Sequence, residues 1–470
     1  MEHMRSKLTI AALVVLLVIL LLFLFRPGEP LNRPVEESTS GDKSLRVANI
    51  SNKSNFRIQA DENGEDKRII DMFLGNPAAA SCSSESASRT RTAQLNRDGL
   101  DGLSPGDELM LNLFEDASYE AMINESYTDV NGAKVLTGSI GGDSSGGSMY
   151  ISTFEGKTVA FVEVPSDDKI FSTGTGNGID YSVFEQDKNK MDIVKNESDV
   201  LTTKNINLPK ELQPPDNADF LFAPNISTSS EGRSVESMID VMFVYTRSAS
   251  LWAENNYQGP MENLMAIAVA RANTVLANSG IRARFRLVHS QEISYNAAGE
   301  NKGSTTTDLA NITFNDTIME MRNKYGADIV TLVTACEDTG GIGWLFNGNS
   351  AFAYNVCRVK QLANSYTFSH ECGHTLGCGH SKLQAGRVAG YFTYSAGWQW
   401  SGKDGKGYHT VMTYDSSANP IVVPYYSNPS LKYKGIPMGD ANDANNSLTI
   451  LMLKDRISSF RESIESPELH

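Results

Sequence analysis

Residues 370–380 read His-Glu-Cys-Gly-His-Thr-Leu-Gly-Cys-Gly-His. Three of the chain's seven histidines fall in this one window, and their spacing constrains the local fold more than any other feature. On a helix, His370 and His374 lie one turn apart on the same face, so both imidazoles reach one point. Gly377 can take a left-handed backbone with no Cβ penalty and so stops the helix. The chain then turns, and His380 approaches the same point from the side. A histidine satisfied by core packing explains one such residue, not three at ligand spacing. The window therefore reads as a site for one Zn2+ held by His370, His374 and His380. A fourth position is left open for water, the mark of a catalytic rather than a structural site. Glu371 lies beside the ligands and can accept a proton from that water.

The sequence around the window predicts the scaffold. Residues 239–245 (IDVMFVY) and 328–333 (DIVTLV) read as buried strands, 282–288 as an alternating strand and 350–356 as a short one. Met261–Asn278 reads as a helix carrying Leu264, Ile267, Val275 and Leu276 and ended by Gly280; 308–325 and 446–461 read as further helices. Strands alternating with helices predict an α/β (α+β) domain, a mainly parallel twisted sheet with helices packed on it. Upstream the texture is β-rich. Residues 148–164 read as two strands about a Glu155-Gly156 turn, and 107–113 alternate in part. The small, polar stretch 77–92 reads as loop. The expected order is a membrane-directed segment at 1–26, a polar tether at 27–60, a β-rich domain at 61–204, a Pro- and Ser-rich linker at 205–236 and the α/β domain at 237–470.

The window has the pattern of the metzincin zinc endopeptidases, H-E-x-x-H-x-x-G-x-x-H followed by a methionine turn. Its downstream partner is present as His-Thr-Val-Met-Thr-Tyr at 409–414. Residues 270–288, 328–333 and 423–439 are similar to the reprolysin-like bacterial members, including the peptidyl-Asp metallopeptidase family. The resemblance covers the region from about 237 to about 465. It implies a metzincin-like catalytic domain that hydrolyses peptide bonds in protein or peptide substrates, with a zinc-activated water and Glu371 as general base. It implies that Met412 forms a hydrophobic floor under the metal and that Tyr414 binds zinc or stabilises the oxyanion. Residues 350–356, just upstream of the zinc helix, become the edge strand for an extended substrate, and 415–424 become the S1′ region. Cys372 and Cys378 depart from the commonest family pattern. A catalytically inactive zinc-binding adhesion protein of the same fold is the alternative, and Glu371 with the complete histidine set argues against it.

Charge and cysteines set the surroundings. The net charge is −15, and about −15 of it lies in residues 31–232 against about −1 in 233–470. That acidity excludes nucleic acid as a partner. Residues 8–25 are apolar and uncharged and follow Arg5 and Lys7. They read as a signal anchor or a cleaved signal peptide, and either places the rest of the chain outside the cytoplasm, anchored or secreted. Disulfides are permitted there. Cys336–Cys357 is the preferred pair and Cys372–Cys378 the second; the alternative is buried free thiols. In some metzincins a propeptide cysteine blocks the zinc, but Cys82, in AASCSSE, lacks the Arg/Pro-Cys-Gly context. The acidic region resembles a propeptide in position and in its exit linker, which makes the chain a latent precursor; the rival is a permanent interaction module. Oligomeric state is not legible.

Overall fold

Glu155 and Gly156 both take positive φ, 47° and 72°, the backbone that a two-residue hairpin turn requires. In the computed structural model they join two barrel strands, as residues 148–164 predict. The structure describes residues 56–60, 66–75, 84–141, 147–175, 180–190, 199–202, 236–257, 259–294, 304–384, 388–414 and 421–464. The apolar run 8–25, Cys82 and residues 203–235 lie outside them, as do 415–420 of the expected S1′ region. Among the described residues no helix is long and apolar enough to cross a membrane.

The barrel comprises β1 (Arg57–Ala60), β2 (Asp66–Asp71), β3 (Phe73–Gly75), β4 (Ala87–Leu95), β5 (Glu108–Phe114), β6 (Ala117–Thr128), β7 (Lys134–Ile140), β8 (Gly147–Phe154), β9 (Lys157–Val164), β10 (Lys169–Thr175) and β11 (Asp180–Gln186), with a short helix α1 (Arg97–Asp101) after β4. The sheet order is β1-β2-β5-β6-β7-β8-β9-β10-β11-β4-β3. Only β2 and β5 pair in parallel. Met72 alone separates β2 from β3. Its N–H donates to Met110 O on β5 (2.9 Å) and its carbonyl accepts from Asn96 N at the end of β4 (2.9 Å), so the sheet closes on itself and leaves few open edges. Leu109, Leu111 and Leu113, at alternate positions of β5, fill the interior with Met149, Ile151 and Val162. Two expectations are corrected. β1 lies inside the expected tether, and β4 begins inside the expected loop 77–92 and runs past its end. Thr90 and Thr92 carry no hydrophobic signal, yet their backbone pairs with β11 in the barrel wall.

Strands β8 and β9 are buried on both faces, which is why they read as near-continuous apolar runs. Their outer face, Tyr150, Val159 and Phe161, shares one hydrophobic cluster with helix α3 (Met261–Asn278) of the second sheet's layer. That sheet comprises β12 (Val200–Leu201), β13 (Ser237–Tyr245), β14 (Ala283–Glu292), β15 (Ile329–Thr334), β16 (Gly341–Trp344) and β17 (Tyr354–Arg358). The order is β12-β16-β17-β15-β13-β14, parallel throughout except β16 against β17. Residues of β13 alternate between its two faces. Val241 and Phe243 join the cluster of α3, whereas Met242 and Val244 join that of α4 (Thr305–Thr313) and α5 (Asp316–Lys324). Helix α2 (Arg247–Tyr257) precedes α3; α6 (Val359–Asn364), α7 (Thr367–Thr375) and α8 (Asn446–Ile457) complete the layers.

Three further readings are corrected. The expected helix 308–325 is two helices, because Asn315 accepts a hydrogen bond from Ile318 N (3.0 Å) and caps α5. Residues 350–356 are not the edge strand. Ser350–Phe352 is a 3-10 turn, and β17 lies inside the sheet between β15 and β16. Cys336 and Cys357 are buried and form no disulfide with each other. Cys357 stands opposite Val333, whereas Cys336 lies beyond the end of β15 and its thiol donates to Asp338 Oδ1 (2.9 Å). Cys372 and Cys378 are free and buried.

Candidate metal centre

Helix α7 carries His370, Glu371 and His374, all buried. Its end is the Schellman arrangement that glycine favours. Gly377 has φ 87°, its N–H donates to His374 O (2.9 Å), and Cys378 N–H donates to Gly373 O (2.8 Å). The reversal brings His380 back against the helix. His380 Nε2 lies 3.1 Å from His370 Nε2 and 3.0 Å from His374 Nε2. His370 Nδ1 meets Val411 O (2.7 Å) and His374 Nδ1 meets Cys378 O (3.0 Å). A carbonyl can only accept, so these Nδ1 atoms carry the protons and both Nε2 lone pairs face inward. Burial lowers the pKa of His374 to about 4, which keeps the imidazole neutral, the form that ligates a metal.

A carboxylate that the sequence did not reveal completes the group. Asp199 Oδ2 lies 2.9 Å from His370 Nε2, and Oδ1 lies 3.1 Å from His380 Nε2 and 3.7 Å from His374 Nε2. The four ligand atoms fall within 4.8 Å of one another, and all four residues are buried. Neither Asp199 oxygen has a hydrogen-bond partner among the described residues. Inward-facing lone pairs with a buried carboxylate are an arrangement that a cation resolves. Zinc–nitrogen bonds of about 2.0–2.1 Å set tetrahedral ligands about 3.3 Å apart, close to the spacing of these nitrogens. Three His nitrogens and one carboxylate oxygen suit Zn2+. The expectation of an open fourth position is thereby corrected: Asp199 stands there. No local motif marks this residue; its only neighbours of note are the apolar pair Val200 and Leu201.

The wall opposite α7 is β16, whose glycines make room for the helix. A Cβ on Gly341 would lie 2.5 Å from Glu371 Oε1, and one on Gly343 would lie 3.0 Å from Glu371 O. Glu371 Oε2 has no hydrogen-bond partner among the described residues. Burial, and then the charge of Asp199, push this carboxyl well above the usual carboxylate range. Beneath the helix, a Cβ on Gly373 would overlap Met412 Sδ, so this glycine admits the buried Met412 under the ligands. The Tyr414 ring lies 5.1 Å from the His370 and His380 rings, stacked on the first and edge-on to the second. The structure thus brings together every predicted residue of the site except Cys336 and Cys357.

Residues 263–381 match the family described as Metallo-peptidase family M12B Reprolysin-like, and this span holds all three histidines and Glu371. That region is therefore similar to reprolysin-like metallopeptidases. Residues 51–179 match a second family, described as BamI lipocalin-like domain, in agreement with the closed barrel. Proteins named peptidyl-Asp metalloendopeptidase are similar to the chain. That of Stenotrophomonas maltophilia (strain R551-3) is 29% identical over 52% of this chain and 60% of its own length. That of Xanthomonas campestris pv. campestris is 27% identical over 52% and 58%, and that of Pseudomonas aeruginosa 27% over 50% and 42%. The chain therefore spans 60% or less of these relatives' length. In all of this the reprolysin-like domain supplies the histidines, and the segment after the barrel supplies Asp199.

Proposed function

We propose that the chain is a zinc endopeptidase made as a latent precursor, with the barrel as its prodomain. The reading rests on the convergence of the His370, His374 and His380 imidazoles beside the Glu371 carboxyl of α7. His370, His374 and His380 would hold the zinc, which would supply the Lewis acidity that acidifies water and polarises a carbonyl. Glu371 takes the proton of the attacking water at Oε2 and returns it to the leaving nitrogen. The Nδ1–H bonds to Val411 and Cys378 fix the imidazoles in the ligating tautomer. Tyr414, stacked on His370, donates its phenol to the developing oxyanion. Met412 is the floor that keeps the ligands from sinking. Strand β16 holds the extended substrate by its backbone.

Substrates are proteins or peptides. The relatives are named for peptidyl-Asp bonds, and we extend that preference to this chain; matched Asp- and Asn-containing peptides test it. The apolar run 8–25 carries the chain out of the cytoplasm as a signal anchor or signal peptide. Glu371→Gln is expected to retain zinc while chelator-sensitive peptide hydrolysis falls at least about a hundredfold. Hydrolysis at the parent rate would end the assignment.

A further inference from the structure

Only the two-residue β12 lies outside β16 in the second sheet, so the far side of β16 is covered by residues that follow the barrel. Gly343 N–H donates to Asp199 O (2.9 Å) and Leu345 N–H donates to Leu201 O (2.9 Å), with Val200 opposite Gly343 and Leu201 opposite Trp344. An edge strand is a template for any extended chain, so a peptide paired there would need these same backbone groups. The Asp199 carboxylate reaches the three imidazoles from this pairing, 1% exposed, at the position a reacting carbonyl or water would need. A backbone clamp on the edge and a carboxylate on the metal ligands are two independent features, and both are filled by one three-residue segment.

We infer that residues 199–201 are a built-in plug, with Asp199 as fourth ligand to the metal and β12 as a stand-in for substrate on β16. The inference rests on the peptidase reading and adds its regulation. Carboxylate oxygen is an ordinary zinc ligand. The segment is tied to the barrel on one side and to β13 on the other, so it competes as an intramolecular ligand against substrate in solution. Removing the segment by cleavage on either side, or displacing it, frees the fourth position and the β16 edge together. The acidic leader thus masks the centre through one carboxylate rather than through its overall charge.

The test uses the full chain with Asp199→Ala and, to preserve packing, Asp199→Asn. Each protein is loaded with Co2+, and its visible absorption spectrum is recorded; binding of a peptide hydroxamate is titrated on the zinc forms. Both variants are expected to show an altered cobalt spectrum and at least tenfold tighter hydroxamate binding than the parent. A parent spectrum and parent affinity in both variants would overturn the plug. Peptide hydrolysis by the same samples separates the two readings. Altered spectrum and tighter binding with no hydrolysis keep the plug and discard the peptidase; equal hydrolysis by parent and variants, with unchanged spectra, keeps the peptidase and discards the plug.

Discussion

Gly341 lacks a side chain where Glu371 needs the space. A Cβ there would press on Glu371 Oε1 at 2.5 Å and on Thr367 Cγ2 at 2.8 Å, so the Glu371 carboxyl must leave its place to admit it. Gly341→Ala is expected to keep its zinc yet lose between about tenfold and a hundredfold in kcat, the range for a misplaced catalytic group. Gly75→Ala, where a Cβ would meet nothing within 4 Å, is the control and should match the parent. Steady-state kinetics on one peptide, with zinc content measured, decide the matter. At this scale the sequence shows what is local. The ligand spacing of His370, His374 and His380 and the helix stop at Gly377 follow from helix geometry alone. Asp199 does not, because it reaches the site through strand pairing rather than through its position in a motif. The cysteines mislead for a related reason: an outward-facing compartment permits a disulfide, but only the register of β15 and β17 shows that Cys336 and Cys357 do not face each other.

Where strands meet helices, single polar groups tie elements together. Asp328 precedes β15, and its carboxylate accepts from Asp240 N on β13 (2.9 Å) and from Arg461 N beyond α8 (3.1 Å). Those bonds favour the charged form, but burial outweighs them and raises the pKa to about 7. A carboxyl raised in the fold above its unfolded value of about 4 binds more protons folded than unfolded. Its contribution to stability is therefore full below pH about 4, and is lost as pH rises through about 7. Urea midpoints taken from pH 4 to pH 8 should fall more steeply for the parent than for Asp328→Asn; parallel profiles would refute the shift. A second tie is the Asn315 cap of α5. Asn315→Ala should cost about 1 kcal/mol in urea unfolding, and no change would mean that packing alone sets the break. That break, like the true edge strand, escaped the sequence. Apolar periodicity runs through 308–325 without a pause, and short apolar strands such as 350–356 do not reveal which of them lies outermost. The long helix Met261–Asn278 and the buried strands were legible because their pattern is long or unbroken.

The barrel and the reprolysin-like layer share a buried charge. Arg271 on α3 is 1% exposed. Its Nε lies 3.3 Å from Glu163 Oε1 on β9, its Nη1 donates to Ser365 O (2.7 Å), and its guanidinium lies 5.1–5.6 Å from the ring centres of Tyr150, Phe161 and Tyr366. Tyr366, just ahead of the zinc helix, donates its hydroxyl to Glu163 Oε2. The barrel thus supplies both the anion and two of the rings that enclose a cation of the other layer. The strands β8 and β9 and their turn were visible in the sequence, but the partner of their second apolar face was not, since only the tertiary fold sets β9 against α3. Breaking a buried pair by removing one partner costs about 3–5 kcal/mol, because the other charge is left uncompensated, whereas replacing both with apolar groups of similar size is often neutral. Glu163→Ala should therefore lower the unfolding free energy by about that amount, and Glu163→Leu with Arg271→Met should recover most of it. The measurement is urea unfolding of the full chain followed by both tryptophan fluorescence and circular dichroism. A single variant as stable as the parent would mean that Arg271 is solvated rather than held by the barrel. A double variant no better than the single would mean that Glu163 acts through Tyr366 and not through the cation.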